Sequence, residues 1–113
     1  MRDGNITKKG KSENESLDSL VKALCCDFSR RKKIIESGGA TKRTQTELRY
    51  LNLKIFAAAA EIAGDEFAAV YIEEIGREIG YAKSEAFCVS ELTYKRYKSL
   101  IKENIAKKLH LSD

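Results

Sequence analysis

Proline and tryptophan are absent from this chain of 113 residues, and glycine occurs only seven times. Without proline there is no cis-prolyl turn, no polyproline linker and no ring to interrupt a helix. No stretch approaches the roughly 18 apolar residues of a membrane-crossing helix, and the N-terminus carries no apolar signal segment. The chain is therefore expected neither to be exported through such a signal nor to span a membrane. Histidine occurs once, at His110, and the three cysteines are Cys25, Cys26 and Cys88. Neighbouring helical residues point about 100° apart, so Cys25 and Cys26 are poorly placed to chelate one ion, and no Cys-x-x-Cys accompanies His110. The expectation is reduced thiols in a cytoplasmic protein, with no metal site. Also missing are Gly-x-Ser-x-Gly, a phosphate-cradling glycine loop and His-x-x-x-His. The adjacent Glu73 and Glu74 diverge on a helix and make a poor acid/base pair. No catalytic residue and no cofactor are expected, and the chain is read as not an enzyme.

What is present is charge and apolar periodicity. Hydrophobic residues make up 42% and charged residues 34%, which fits one globular domain with a charged exterior. The net charge of +4 is unevenly laid out: residues 1–59 carry 13 basic and 7 acidic side chains, residues 60–91 carry 2 and 8, and residues 92–113 carry 6 and 2. Basic ends thus flank an acidic middle.

Residues 1–15, MRDGNITKKGKSENE, have no periodicity and read as a disordered polar tail. From Ser16, a suitable N-cap, Leu17, Leu20, Val21, Leu24, Phe28 and Ile35 fall near one helical face. Arg30, Arg31, Lys32 and Lys33 are expected in the last turns, where cations suit the helix dipole, before Gly38 and Gly39 end the helix. A second helix is expected from Thr44, whose spacing to Glu47 is that of a capping box, with Leu48, Leu51, Ile55, Ala59 and Ile62 as its stripe. Phe56 and the alanines 57–60 broaden that stripe. A third is expected from about Asp65 to Ile79, with Phe67, Val70, Tyr71, Ile75 and Ile79 inward and Glu66, Glu73, Glu74 and Glu78 on an acidic surface.

Ser90 caps a last helix expected to run to about Leu109. Tyr94, Tyr97, Leu100, Ile101 and Ile105 share one arc, while Lys95, Lys98 and Lys102, with Ser99, lie on the other. Before it, Tyr81 to Phe87 is expected as a short helix and Cys88-Val89 as a tight turn. A short helix, a turn and a second helix with exposed cations make a helix-turn-helix, whose second helix enters the major groove N-terminus first. Glu91, Leu92, Thr93, Lys95 and Arg96 would then meet base edges, and the later lysines would meet phosphate. Lys83 and Ser84 stand where such motifs carry an apolar and a small residue.

Val89-Ser90-Glu91-Leu92-Thr93-Tyr94-Lys95-Arg96-Tyr97 resembles the turn and recognition helix of many bacterial helix-turn-helix regulators. Ser90 to Lys98 is similar to the Ser-x-x-Thr-Tyr-x-Arg-x-Lys pattern of phage-encoded regulators of the ArpU and RinA kind, and FSRRKKIIE at Phe28 to Glu36 resembles their arginine-rich first helix. The resemblance implies a C-terminal fold like sigma factor region 4 and a role in late phage transcription.

The combined expectation is an all-α fold, a compact bundle of four to five helices ending in a helix-turn-helix-like pair. Residues 16–113 form one helical domain and 81–109 the DNA-reading part. Ser90, Glu91, Thr93, Lys95, Arg96, Lys98 and Lys102 are the expected DNA-binding residues. Double-stranded DNA is the expected partner, a homodimer and RNA polymerase are further ones, and no membrane is involved. The alternative is a helical adaptor or oligomeric interaction protein, such as a phage assembly component, that binds no DNA.

Overall fold

The computed structural model describes residues 16–86 and 89–111, so the expected tail over 1–15 and the turn residue Cys88 lie outside the described residues. The all-α expectation holds: among the described residues there are helices and no strand. They are α1 (16–26), α2 (Phe28–Ser37), α3 (Lys42–Ala63), α4 (Asp65–Gly76) and α5 (Glu91–Lys108), with a single 3-10 turn at Tyr81–Lys83. α3 is the central element, with α2, α4 and α5 packed around it.

The stretch expected as one helix from Ser16 to Gly38 is two. Asp27, at φ −87° and ψ 0°, separates α1 from α2, and Ser16 is already helical rather than a cap. The cause is tertiary. A Cβ placed on Gly76 would lie 2.5 Å from the Cys26 nitrogen and 2.6 Å from its Cα, so the end of α4 rests directly on the α1 backbone. The turn at Asp27 lets α1 keep that contact while α2 packs on α3 and α4. It also moves the basic run. Arg30 to Lys33 sit in the first turns of α2, where the dipole opposes cations, not in the last.

Arg31 resolves this by leaving the surface. It is only 7% exposed. Its Nε donates to Asn52 Oδ1 at 2.6 Å and its Nη2 to the Leu24 carbonyl at 2.6 Å, while Asn52 Nδ2 donates to the Phe28 carbonyl at 3.2 Å. The guanidinium thus closes the C-terminal end of α1, where a cation is favoured. Burial lowers its pKa, with Asp27 pulling it back up.

α3 begins two residues before the expected capping box. Thr41 is its cap, accepting from the Thr44 amide at 3.2 Å. Ile55, Ala58 and Ala59 reach the core, and the alanines permit the close approach of neighbouring helices that their small size suggests. α4 stops at Gly76 rather than Ile79, because Glu78 turns left-handed at φ 55° and the Ile79 amide reaches back to the Glu74 carbonyl at 3.0 Å. That is the reversal glycine usually makes after a helix. α5 ends as expected near Leu109, with His110 left-handed at φ 58°.

The core gathers Val21 and Cys25 of α1, Ile55 of α3, Tyr71, Ile72 and Ile75 of α4, and Tyr94, Ile101 and Ile105 of α5. Tyr71, Tyr94 and Tyr81 form a chain of ring contacts, with centroids 5.5 Å and 5.6 Å apart. Tyr97 joins it at 6.0 Å from Tyr71. The tyrosines near α5 are therefore packing groups.

Candidate interaction surfaces

The expected first helix of the helix-turn-helix is not formed. Among residues 81–86 only Tyr81–Lys83 is helical, as a 3-10 turn, and Ser84 is extended at ψ 147°. Lys83 is exposed, and two hydrogen bonds hold this segment open: Ser84 Oγ donates to Glu74 Oε1 at 2.6 Å and the Glu85 amide donates to Glu74 Oε2 at 2.8 Å. The backbone spends its donors on a side chain instead of a helical ladder.

Glu74 was expected on the acidic surface, but it is 3% exposed. It also accepts from the Tyr94 hydroxyl at 2.7 Å, and that hydroxyl sits 3.0 Å from the Ile79 carbonyl. The same carbonyl accepts from Lys98 Nζ at 2.8 Å, and the Lys98 ammonium lies 5.1 Å from the Tyr94 ring centre. Burial lowers the Lys98 pKa, with repulsion from Lys102 and Lys22 adding to it.

The cations of α5 therefore divide. Ser90 is the expected cap, accepting from the Thr93 amide at 3.2 Å and donating to Thr93 Oγ1 at 3.0 Å, so both residues have a structural task. Glu91 lies in the first turn, where an acid suits the dipole, with Lys95 Nζ 3.1 Å from it. Leu92, 71% exposed, and Arg96 project outward beside them. Lys98 and Lys102 do not. Lys102 pairs with Asp18 at 2.9 Å, and Lys22 pairs with Asp18 at 3.2 Å and Glu78 at 2.8 Å. Together Lys22, Lys98, Lys102 and Glu78 line a polar cleft of about 170 Å³ between α1 and α5. The face expected to carry Lys95, Lys98 and Lys102 toward one partner is split between solvent and this cleft.

A second surface lies on α2 and α3. Phe28 and Ile35 of α2, Leu53 and Phe56 of α3, and Ala69 of α4 line an apolar groove of about 360 Å³, with Asn52 at its base and Lys32 and Arg49 at its rim. Leu53 is 72% exposed and Tyr50 beside it 59%. Arg30, Lys32, Lys33, Lys42, Arg43 and Arg49 are exposed on these two helices, against Glu36, Glu47 and Glu61. This surface was not among the expected sites, though it had a signal. Tyr50 and Leu53 are large apolar residues off the inward stripe of their helix, and exposed apolar residues that gather into one patch mark contact surfaces.

Among the described residues no group of side chains is arranged to hold a metal ion, and no helix is long and apolar enough to cross a membrane. Cys25 is buried, its thiol pushed up to about 12 first by burial, and Cys26 is exposed. No protein-family model, curated protein or solved structure was found to match this chain.

Proposed function

We propose that this chain is a non-catalytic helical adaptor that holds a partner on its α2–α3 surface. The observation that carries this reading is the apolar groove with Leu53 exposed at its edge and Lys32 and Arg49 on its rim. Large apolar side chains left uncovered in a small protein are typical of surfaces that another molecule covers.

DNA binding is the second reading, favoured by the outward position of Lys95 and Arg96 beside the N-terminal turn of α5. On this reading the protein is a transcriptional regulator of the kind its Ser90 to Lys98 stretch resembles, with RNA polymerase as a further partner. Its DNA contacts fall to Glu91, Lys95 and Arg96, which are exposed, whereas Ser90 and Thr93 cap α5 and Lys98 and Lys102 are held in the cleft.

A duplex mobility-shift titration with the parent and a Lys95→Glu/Arg96→Glu variant separates the two readings. The adaptor reading expects weak duplex binding that the α5 substitutions do not alter. Tight, salt-sensitive binding that this variant abolishes would replace it with the regulator.

A further inference from the structure

We propose that the α2–α3 groove receives an amphipathic helix of a partner protein whose polar flank is acidic. This rests on the adaptor reading and names the chemistry of the partner.

The groove has the shape of a helix seat. One wall is Phe28, Lys32 and Ile35 and the other is Arg49, Leu53 and Phe56, so both present the i, i+4, i+7 spacing of two helical turns. Two such walls run for about 10 Å and match the i, i+3 or i+4, i+7 anchors of a docked amphipathic helix. The apolar residues supply the seat, and each wall adds one cation. Arg49 offers a planar fork for a carboxylate, and Lys32 a point charge. Lys32 and Arg49 are the charged side chains that line the groove, so its rim repels a basic helix and attracts an acidic one.

A nucleic acid fits less well, because phosphate would meet the rim and leave Leu53 and Phe56 uncovered. A second copy of the chain fits less well too. Its acidic helix, α4, exposes Glu66, Ala69 and Glu73, with no large apolar residue to fill the groove.

The test is selection from a displayed library of helical peptides that carry Leu and Phe anchors, with Glu, Gln or Lys on the flanks, using the whole chain as bait. Acid-flanked peptides should be enriched. In anisotropy titrations they should bind at least tenfold more weakly to Leu53→Asp, and about tenfold more weakly to Lys32→Glu/Arg49→Glu. Leu53 is exposed, so helical circular dichroism should be unchanged in the variant. Enrichment with no charge preference, binding only at Leu53, overturns the acidic partner and leaves the adaptor reading standing. No enrichment at all, or binders indifferent to Leu53→Asp, overturns the groove as a seat. A dimer in light scattering that Leu53→Asp dissolves assigns the groove to a second copy. Duplex binding that Lys32→Glu/Arg49→Glu removes overturns both the partner and the adaptor.

Discussion

The Tyr94 hydroxyl donates to the buried Glu74 carboxylate across 2.7 Å, tying the first turn of α5 to the last turns of α4. Ser84 and the Glu85 amide complete the carboxylate's shell, so one side chain organises the whole connection between the two helices. Tyr94→Phe keeps the ring packing and removes one charge-assisted donor. It should cost about 1.5–3 kcal/mol, read from urea unfolding, because the carboxylate stays buried with a partner missing. A loss below about 0.5 kcal/mol would mean that the hydrogen bond contributes nothing net.

The same contact sets an alkaline limit on stability. Burial first, and the Glu74 hydrogen bond second, push the Tyr94 hydroxyl from its ordinary 10.0 up to about 12. An acidic group raised in the folded state contributes stability that is complete below its unfolded pKa. That stability is lost as pH rises through the folded value. Cys25, raised by burial from its ordinary 9.0 to about 12, starts the loss near pH 9, and Tyr94 adds to it from about pH 10. Urea midpoints should therefore hold up to about pH 9 and fall between there and about 12. Tyr71, raised first by burial, acts in the same direction. Tyr94→Phe should show a shallower alkaline fall, and an equally steep one would assign the effect to other groups.

Arg31 and Asn52 should behave as a unit. Removing Asn52 alone leaves a buried guanidinium short of its acceptor, so Asn52→Ala should lose about 3 kcal/mol. Arg31→Met alone should lose a similar amount by removing the donor to the Leu24 carbonyl and to Asn52 Oδ1. The double variant Arg31→Met/Asn52→Leu should lose clearly less than the sum. Additive losses in the double-mutant cycle would show that the two side chains are not coupled.

Gly76 and Gly80 make a contrast of close contact with open space. A methyl group at Gly76 meets the Cys25–Cys26 backbone at 2.5–2.8 Å, whereas at Gly80 nothing lies within 4 Å. Gly76→Ala should push α1 off α4 and lower stability by about 3 kcal/mol or more, while Gly80→Ala should stay within about 0.5 kcal/mol. Thermal unfolding of the two variants decides it, and equal midpoints would refute the close approach.

Periodicity in the sequence located α3, α4 and α5. The Ser90 cap was legible because Ser-x-x-Thr meets its own backbone locally, and Val21, Ile55, Tyr71, Ile75, Tyr94, Ile101 and Ile105 were legible because each repeats at helical spacing. The resemblance around Ser90 to Lys98 falls on residues whose pattern is largely explained by capping and packing.

The sequence by itself thus determined the helical class, the uninterrupted last helix and most of the core, since these depend on contacts between residues three or four apart. Only the tertiary structure decided where charges end up. Arg31 and Glu74 read as surface residues in any local pattern, yet each is buried because acceptors or donors from distant segments converge on it: Asn52 for one, Ser84 and Tyr94 for the other. Burying a charge is unfavourable unless partners meet it, and those partners lie ten to twenty-one residues away along the chain. The break at Asp27 and the open segment after Gly80 have the same origin. Long-range contacts at Gly76 and Glu74 outweighed the local preference for a continuous helix. The expected lysine face is split, with Lys95 in solvent and Lys98 and Lys102 in a cleft, and the α2–α3 groove is left exposed.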